Sequence, residues 1–397
     1  MINQNSKADS VAVIGAGPAG LSAANYLSRL GYQVQIFDEQ STAGGMTFAG
    51  IPSYRLPRNV LASEIVNITA QGVSTHFDTR INNINELQKH FKAVLVATGA
   101  HLSRDNGIDN RSSDYDTLME GVKFLRDISN GKTIATKNQV IVVGGGNTAI
   151  DCARTAKRLG CKEVTIVYRR GRHEMPARDD EVKAAEEEGI QFQFLAAPTK
   201  IISQNNKVVG TACIRMELGE PDASGRRKPV PMKNSEFVIT TDMVLTAIGE
   251  VPDVSFLPHG EVELTNWNSI KVAQNGTTNI PWLFAAGDCT SGPASIVEAM
   301  AAGKHAAESI HAYISNEQAT SLNTALDSAL HEVSLSRKRR GPELPKTQRL
   351  QPRELPAEER IQNFNEVEEC FDVQTAAREA ERCLRCYRVM LIVKRQG

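Results

Sequence analysis

The chain has almost no excess of either charge: 45 basic side chains stand against 46 acidic ones. No overall field therefore recruits nucleic acid or an anionic membrane. It has no apolar run long enough for a bilayer core, and the opening MINQNSKADS lacks the apolar stretch of a secretion signal, so a cytoplasmic protein without a membrane span is expected. Cysteine is sparse too. The seven at 152, 161, 213, 289, 370, 383 and 386 are too few and too scattered for a disulfide scaffold in 397 residues. Only Cys383 and Cys386 have the spacing of metal or redox chemistry. What remains is length enough for two or three domains with cores of their own.

What is present is, first, a glycine turn. Residues 11–38, VAVIGAGPAGLSAANYLSRLGYQVQIFD, predict a strand, a turn, a helix from 18 to about 30 and a second strand ending on a carboxylate. Gly15 permits the tight turn, Gly17 lets a pyrophosphate touch the backbone, and Gly20 lets the helix pack closely on the sheet. Pro18 and Ala19 open that helix, whose free N–H groups and partial positive charge face the phosphates. Asp38 stands where a carboxylate accepts hydrogen bonds from a ribose diol. A Gly/Pro-rich loop follows, in which Gly44 and Gly45 let the backbone pass close to a cofactor. Residues 59–71 predict a short amphipathic helix, THFDTRI and AVLVATGA two strands, and 118–128 a helical patch.

A second unit begins at Gln139, where QVIVVGGGNTAIDCARTAKRLGCKEVTIVYRR repeats strand, turn (Gly144, Gly146), helix and strand. Ala149 replaces the third glycine, and the second strand ends in Arg169 and Arg170 where the first ended in Asp38. A carboxylate there repels a 2′-phosphate and a guanidinium binds it, so this unit favours NADPH over NADH. The Glu186–Glu188 run beyond it reads as a solvated face. Strands near Phe192, Val208, Cys213 and Phe237 suggest a meander, and DMVLTAIG, ending on Gly249, repeats the plan of AVLVATG. WLFAAGDCTSGPASIVEAM closes the core with a strand, a turn at Gly287 and Asp288, and a long helix expected to start near Pro293. Its N–H groups at Ala294, Ser295 and Ile296 are expected to face an electron-accepting ring, whose reduced anion a helix N-terminus favours. Past residue 316 a charged, proline-bearing stretch predicts an extended connector, and 375–385 a helix with Cys383 and Cys386 on one face.

These motifs together resemble the small-subunit family of NADPH-dependent glutamate synthase, a branch of the two-dinucleotide-binding flavoproteins. GAGPAGL (15–21), GIPSYRLP (50–57), ATGA (97–100), GGGNTAIDCART (144–155), YRR with EMPA (174–177) and AAGD (285–288) occur in family order. The resemblance implies an α/β protein of two Rossmann-like domains: a discontinuous FAD domain (8–130 and 251–315), an inserted NADPH domain (131–250) and a helical cysteine-bearing tail (316–397). It implies FAD between Gly15–Gly20, Asp38, Glu39, the loop Gly44, Gly45, Met46 to Arg55, Ile81, Thr98, Gly99 and Asp288. It implies NADPH around Gly144, Gly146, Asn147, Thr148, Ala149, Arg169, Arg170 and Gly249. The expected activity is transfer of electrons between NADPH and an iron–sulfur or larger redox partner subunit, with no catalytic side chain because hydride transfer needs alignment above all. Cys370, Cys383 and Cys386 are one thiolate short of a four-cysteine cluster, so a cluster shared with a partner, a zinc site and no metal at all stay open. Two other activities are considered beside this one: a thioredoxin-reductase-like disulfide reductase and a redox-silent FAD-binding adaptor.

Overall fold

The computed structural model describes residues 10–104, 107–109, 117–135, 137–222, 225–316 and 348–382. The first unit runs β1 (Ser10–Ile14), α1 (Pro18–Arg29), β2 (Gln33–Phe37), α2 (Met46–Ala49), α3 (Arg58–Thr69), β3 (Ser74–His76), α4 (Ile84–Gln88), β4 (Ala93–Val96) and β5 (Leu102–Ser103). The second runs β6 (Leu118–Glu120), α5 (Gly121–Ser129), β7 (Gln139–Val143), α6 (Asn147–Arg158), β8 (Glu163–Tyr168), α7 (Asp179–Glu187), β9 (Gln191–Phe194), β10 (Ala196–Gln204), β11 (Lys207–Pro221), β12 (Arg227–Thr240) and β13 (Met243–Thr246). The chain returns through β14 (Glu250–Val251), β15 (Leu283–Ala285), α8 (Asp288–Ser291) and α9 (Ile296–Ser315), and the tail carries α10 (Ala357–Arg360) and α11 (Val373–Glu381).

Two parallel five-stranded sheets result, ordered β15-β4-β1-β2-β3 and β6-β13-β7-β8-β9. Strands β1, β4 and β13 are buried along their whole length, which is why they read as unbroken apolar runs. The sheets match strand for strand, except that the outer strand beside β4 comes last in the first unit and its counterpart beside β13 comes first in the second. The meander is the antiparallel sheet β10-β11-β12, and a two-stranded ribbon, β14 on β5, joins the units.

Four expectations change. The patch at 118–128 opens as a strand, because Leu118–Glu120 pairs with Val244–Thr246. The long helix starts at Ile296, where Ser295 and Glu298 form a capping box, rather than near Pro293. Glu188 is no solvated residue: its carboxylate is fully buried between Arg154 and Arg158. Of the expected connector, residues 317–347 lie outside the described ones, and from Leu350 the tail folds back on the body: Val367 N–H donates to Tyr54 O (3.0 Å), and Arg360 is buried against Glu187 and Glu354.

Candidate active site: two nucleotide turns and the ribbon between them

At the carboxyl edge of the first sheet, β1 stops at Ile14 and the chain turns at Gly15, whose φ of +105° is in the left-handed region. A Cβ there would lie 2.4 Å from Ala97 O, so only glycine permits the turn. The following helix starts at Pro18 with its N-terminus toward the loop 44–46, where a Cβ on Gly45 would stand 2.9 Å from Gly17 Cα. This bare backbone floors an open cleft. Gly15, Asp38, Glu39, Gly45, Met46, Ile81 and Thr98 line it.

Asp38 sits at the cleft with Oδ2 accepting from Ala16 N (2.6 Å) and Oδ1 from Gln40 N (2.8 Å). Burial raises its pKa and those backbone bonds counter the rise. Each oxygen keeps a lone pair for a ribose hydroxyl. Glu39 pairs with Arg80, which also reaches Asp253 (2.6 Å). Two buried polar atoms lack a hydrogen-bond partner: Thr98 Oγ1, which lines the cleft, and Asp288 Oδ1. Burial pushes the Asp288 carboxyl up to about 6, against a hydrogen bond from Ala294 N–H, and Glu298 raises it further. An unsatisfied buried carboxylate oxygen costs about 1–3 kcal/mol unless a ligand donates to it. The glycine floor and these two orphaned oxygens fit a dinucleotide with a polyol chain.

The three N–H groups at the start of α9 are only partly available. Ala294 N is taken by Asp288 and Ser295 N by Glu298 Oε2 (2.9 Å); Ile296 N has no partner among the described residues. Arg55 also departs from expectation. Its guanidinium leaves the cleft for Asp151 (2.7 Å) and Glu181 (2.8 Å) of the second unit. From that unit in turn Val122, Arg126 and Asn130, around α5, line the first cleft. Nothing local in the sequence marked them, because their place depends on how two sheets separated along the chain pack together.

The second turn is built alike. Gly144 has φ +150°, Gly146 precedes α6, and Ala149 is buried in the first turn of that helix. Asn147 Oδ1 accepts from Arg178 N (3.1 Å). The arginine pair splits: Arg170 is buried, donating to Asp222 Oδ2 (2.8 Å) and Arg227 O (2.8 Å), whereas Arg169 is exposed. Thr148 hydrogen-bonds Glu250, the first residue of the joining ribbon after Gly249. The Glu250 carboxyl is raised by burial and by the charge of Asp288 across the boundary. The second turn, the ribbon and the first cleft thus meet within one electrostatic neighbourhood.

The Pyridine nucleotide-disulphide oxidoreductase family model matches residues 9–303. The chain belongs to that family. That family is one of oxidoreductases, and FAD and NADPH are the cofactors that membership brings. Among its relatives, NADP(+)-dependent formate dehydrogenase subunit beta of Moorella thermoacetica is 44% identical over 96% of this chain and 55% of its own length. NADPH-Fe(3+) oxidoreductase subunit beta of Geobacter sulfurreducens is 39% identical over 96% and 62%. The small chain of glutamate synthase [NADPH] of Azospirillum brasilense is 38% identical over 77% and 66%. The chain therefore spans about three fifths of the first two relatives. Among solved structures, T. acidophilum thioredoxin reductase superposes with a TM-score of 0.61 at 26% identity, covering 77% of this chain and 98% of that one. FprA of Mycobacterium tuberculosis in complex with NADPH, at 0.65 and 17% over 83% and 89%, shares the fold.

Metal chemistry finds no support in the described part: no cluster of three His, Cys, Asp or Glu suited to a metal occurs among the described residues. Cys370 is exposed, and Cys383 and Cys386 lie outside the described residues. No described helix is long and apolar enough to cross a membrane.

Proposed function

We propose that this chain is the NADPH–flavin module of a cytoplasmic electron-transfer enzyme, exchanging electrons with an iron–sulfur partner subunit. FAD occupies the first cleft, its pyrophosphate on the α1 N-terminus, its ribose on Asp38 and its polyol chain on Asp288. NADPH takes the turn at Gly144–Ala149, with Arg169 on its 2′-phosphate. When bound, the flavin supplies the hydride-accepting and electron-donating chemistry. The protein supplies alignment: the β14–β5 ribbon fixes the second turn against the first cleft, and Thr148 holds Glu250 toward Asp288. That convergence is the observation that carries the reading. The test is NADPH oxidation with ferricyanide by the full chain after FAD loading; a protein that stays colourless when offered FAD overturns the reading, and a yellow one that consumes no NADPH is the adaptor. A disulfide reductase has less support. Cys289 and Cys152 are buried as single thiols, and burial pushes the first to about 12 and the second well up.

Two expected results follow from individual side chains. Arg169→Ala raises the KM for NADPH about 10–100-fold and leaves that for NADH within about twofold, as expected for a charged hydrogen bond of about 1.5–3 kcal/mol. Arg170→Ala, by contrast, lowers stability, because it strips Asp222 and the Arg227 carbonyl of their donor. The second result concerns pH. Burial pushes the Asp288 carboxyl up to about 6, and a ribityl hydroxyl donates more strongly to its ionised form. FAD affinity of the apoprotein is therefore full well above pH 6 and falls as pH drops through it, with Asp288→Asn flattening the curve. Flavin fluorescence titration between pH 5 and 8 measures both.

A further inference from the structure

The first glycine turn offers a ligand bare backbone and no cation of its own. From Ser10 to Ser28, and again from Leu30 to Tyr54, the sequence holds no lysine or arginine. The next two arginines are engaged elsewhere. Arg55 pairs with Asp151 (2.7 Å) and Glu181 (2.8 Å), and Arg58 donates to the carbonyls of Ile51 (2.8 Å) and Thr47 (3.2 Å) and to Ser129 Oγ (3.1 Å). On the cleft lining itself, Arg80 is held by Glu39 and Asp253, and His101 stands 3.7 Å from Glu39. A pyrophosphate brings a full charge on each phosphate, whereas the start of α1 answers with only about half an elementary charge.

A further cation reaches the cleft from the second unit. Val122, Arg126 and Asn130 recur every four residues along α5 and its cap, so they share one face of the helix, and all three line the first cleft. Phe124 and Leu125, on the other side, are buried in the core of the second unit and fix how the helix is turned. Helix α5 packs on α2, and Arg58 ties the two by bonding Ser129 of one and Thr47 of the other. The glycine that opens α2 is Gly45, whose Cβ would stand 2.9 Å from Gly17 Cα. Arg126 is therefore carried on a helix fastened to the loop that covers the turn. It is half-buried, and its guanidinium has no ion pair and no hydrogen bond among the described residues.

We propose that Arg126 is the cation of the FAD site and pairs with the pyrophosphate seated on the α1 N-terminus. The assignment rests on FAD occupying the first cleft. A guanidinium suits the place, because its planar fork spans two phosphate oxygens and a half-buried charge is screened less by water than an exposed one. Since Arg126 belongs to the second unit, the FAD site is complete only where the two units meet.

Titration of the full chain, stripped of flavin, with FAD, ADP and adenosine tests this without turnover. The unsubstituted chain binds FAD, and binds ADP more tightly than adenosine; were it to bind none of the three, the FAD reading itself would fall. Arg126→Ala weakens FAD and ADP about tenfold or more and leaves adenosine within about twofold, and Arg126→Lys, which keeps the charge without the fork, recovers part of the loss. Unchanged affinities in Arg126→Ala, with the unsubstituted chain still binding FAD, remove the arginine from the site. Loss of FAD with ADP intact moves it to the flavin end, and parallel loss of all three ligands assigns it to the fold; either result overturns the proposal.

Discussion

Gly303→Ala destabilises the protein by about 1–3 kcal/mol and releases FAD, although alanine is the better helix former by about 1 kcal/mol. Helices α1 and α9 cross with their backbones nearly touching: a Cβ on Gly303 would lie 2.1 Å from Ala19 O and 2.8 Å from Ala19 C. A carbonyl cannot yield as a long side chain does, so the helices must separate. Ser22 Oγ, bonded to Met300 O (2.8 Å), ties the helices, and Tyr32, between α1 and β2, meets His311 Nδ1 of α9 (2.8 Å); both resist that separation. The N-terminus of α1 lies beneath the expected pyrophosphate and that of α9 beside Asp288, so movement of either misplaces the groups meant for FAD. Thermal melting and the flavin content of the purified variant measure the two effects, and Ala301→Ser on the exposed face of α9 should change neither.

How much of this was legible follows the range of the interactions involved. The two glycine turns, the apolar strands and the meander were readable because turn chemistry and burial leave their mark within a few residues. Leu118–Glu120 was not, since its strand character comes from a partner more than a hundred positions on, and the adjoining α5 supplies a helical periodicity that overwhelms three residues. Arg169 and Arg170 are indistinguishable as neighbours in a motif; only Asp222, brought back by a long hairpin, separates the buried, paired Arg170 from the exposed Arg169. Arg55 and Glu188 show the same limit. A loop arginine and a glutamate in an acidic run read as cleft-facing and solvated, and each is claimed by a charge on another element.

Glu188→Ala should be the most destabilising single substitution, at about 3–5 kcal/mol by urea unfolding. One fully buried carboxylate accepts from Arg154 (2.8 Å) and from Arg158 (2.7 and 3.0 Å), with Arg360 of the tail 4.0 Å away. Arg158 and Arg154 in turn lie over the ring of Tyr54, at 3.8 and 5.1 Å, and Tyr54 meets Phe364 at 6.2 Å. Helices of the second unit, the GIPSYRLP loop of the first and the tail therefore share one anion, and its removal leaves buried guanidiniums underpaid in charge at a three-way junction. Acid distinguishes the carboxylates of this junction. Burial raises Glu188, but bonds from Arg158 and Arg154 outweigh it and hold the pKa below the unfolded value of 4.5. Its contribution is thus present above 4.5 and lost as pH falls through the lower folded value, a loss that Glu188→Gln abolishes. Asp151 runs the other way: burial lifts it from 3.8 to about 6 despite Arg55, so its contribution is full below 3.8 and is lost as pH rises through 6. Between pH 4 and 6 Asp151→Asn should flatten the slope of stability with pH, whereas the Glu188 variants act on the slope only in stronger acid.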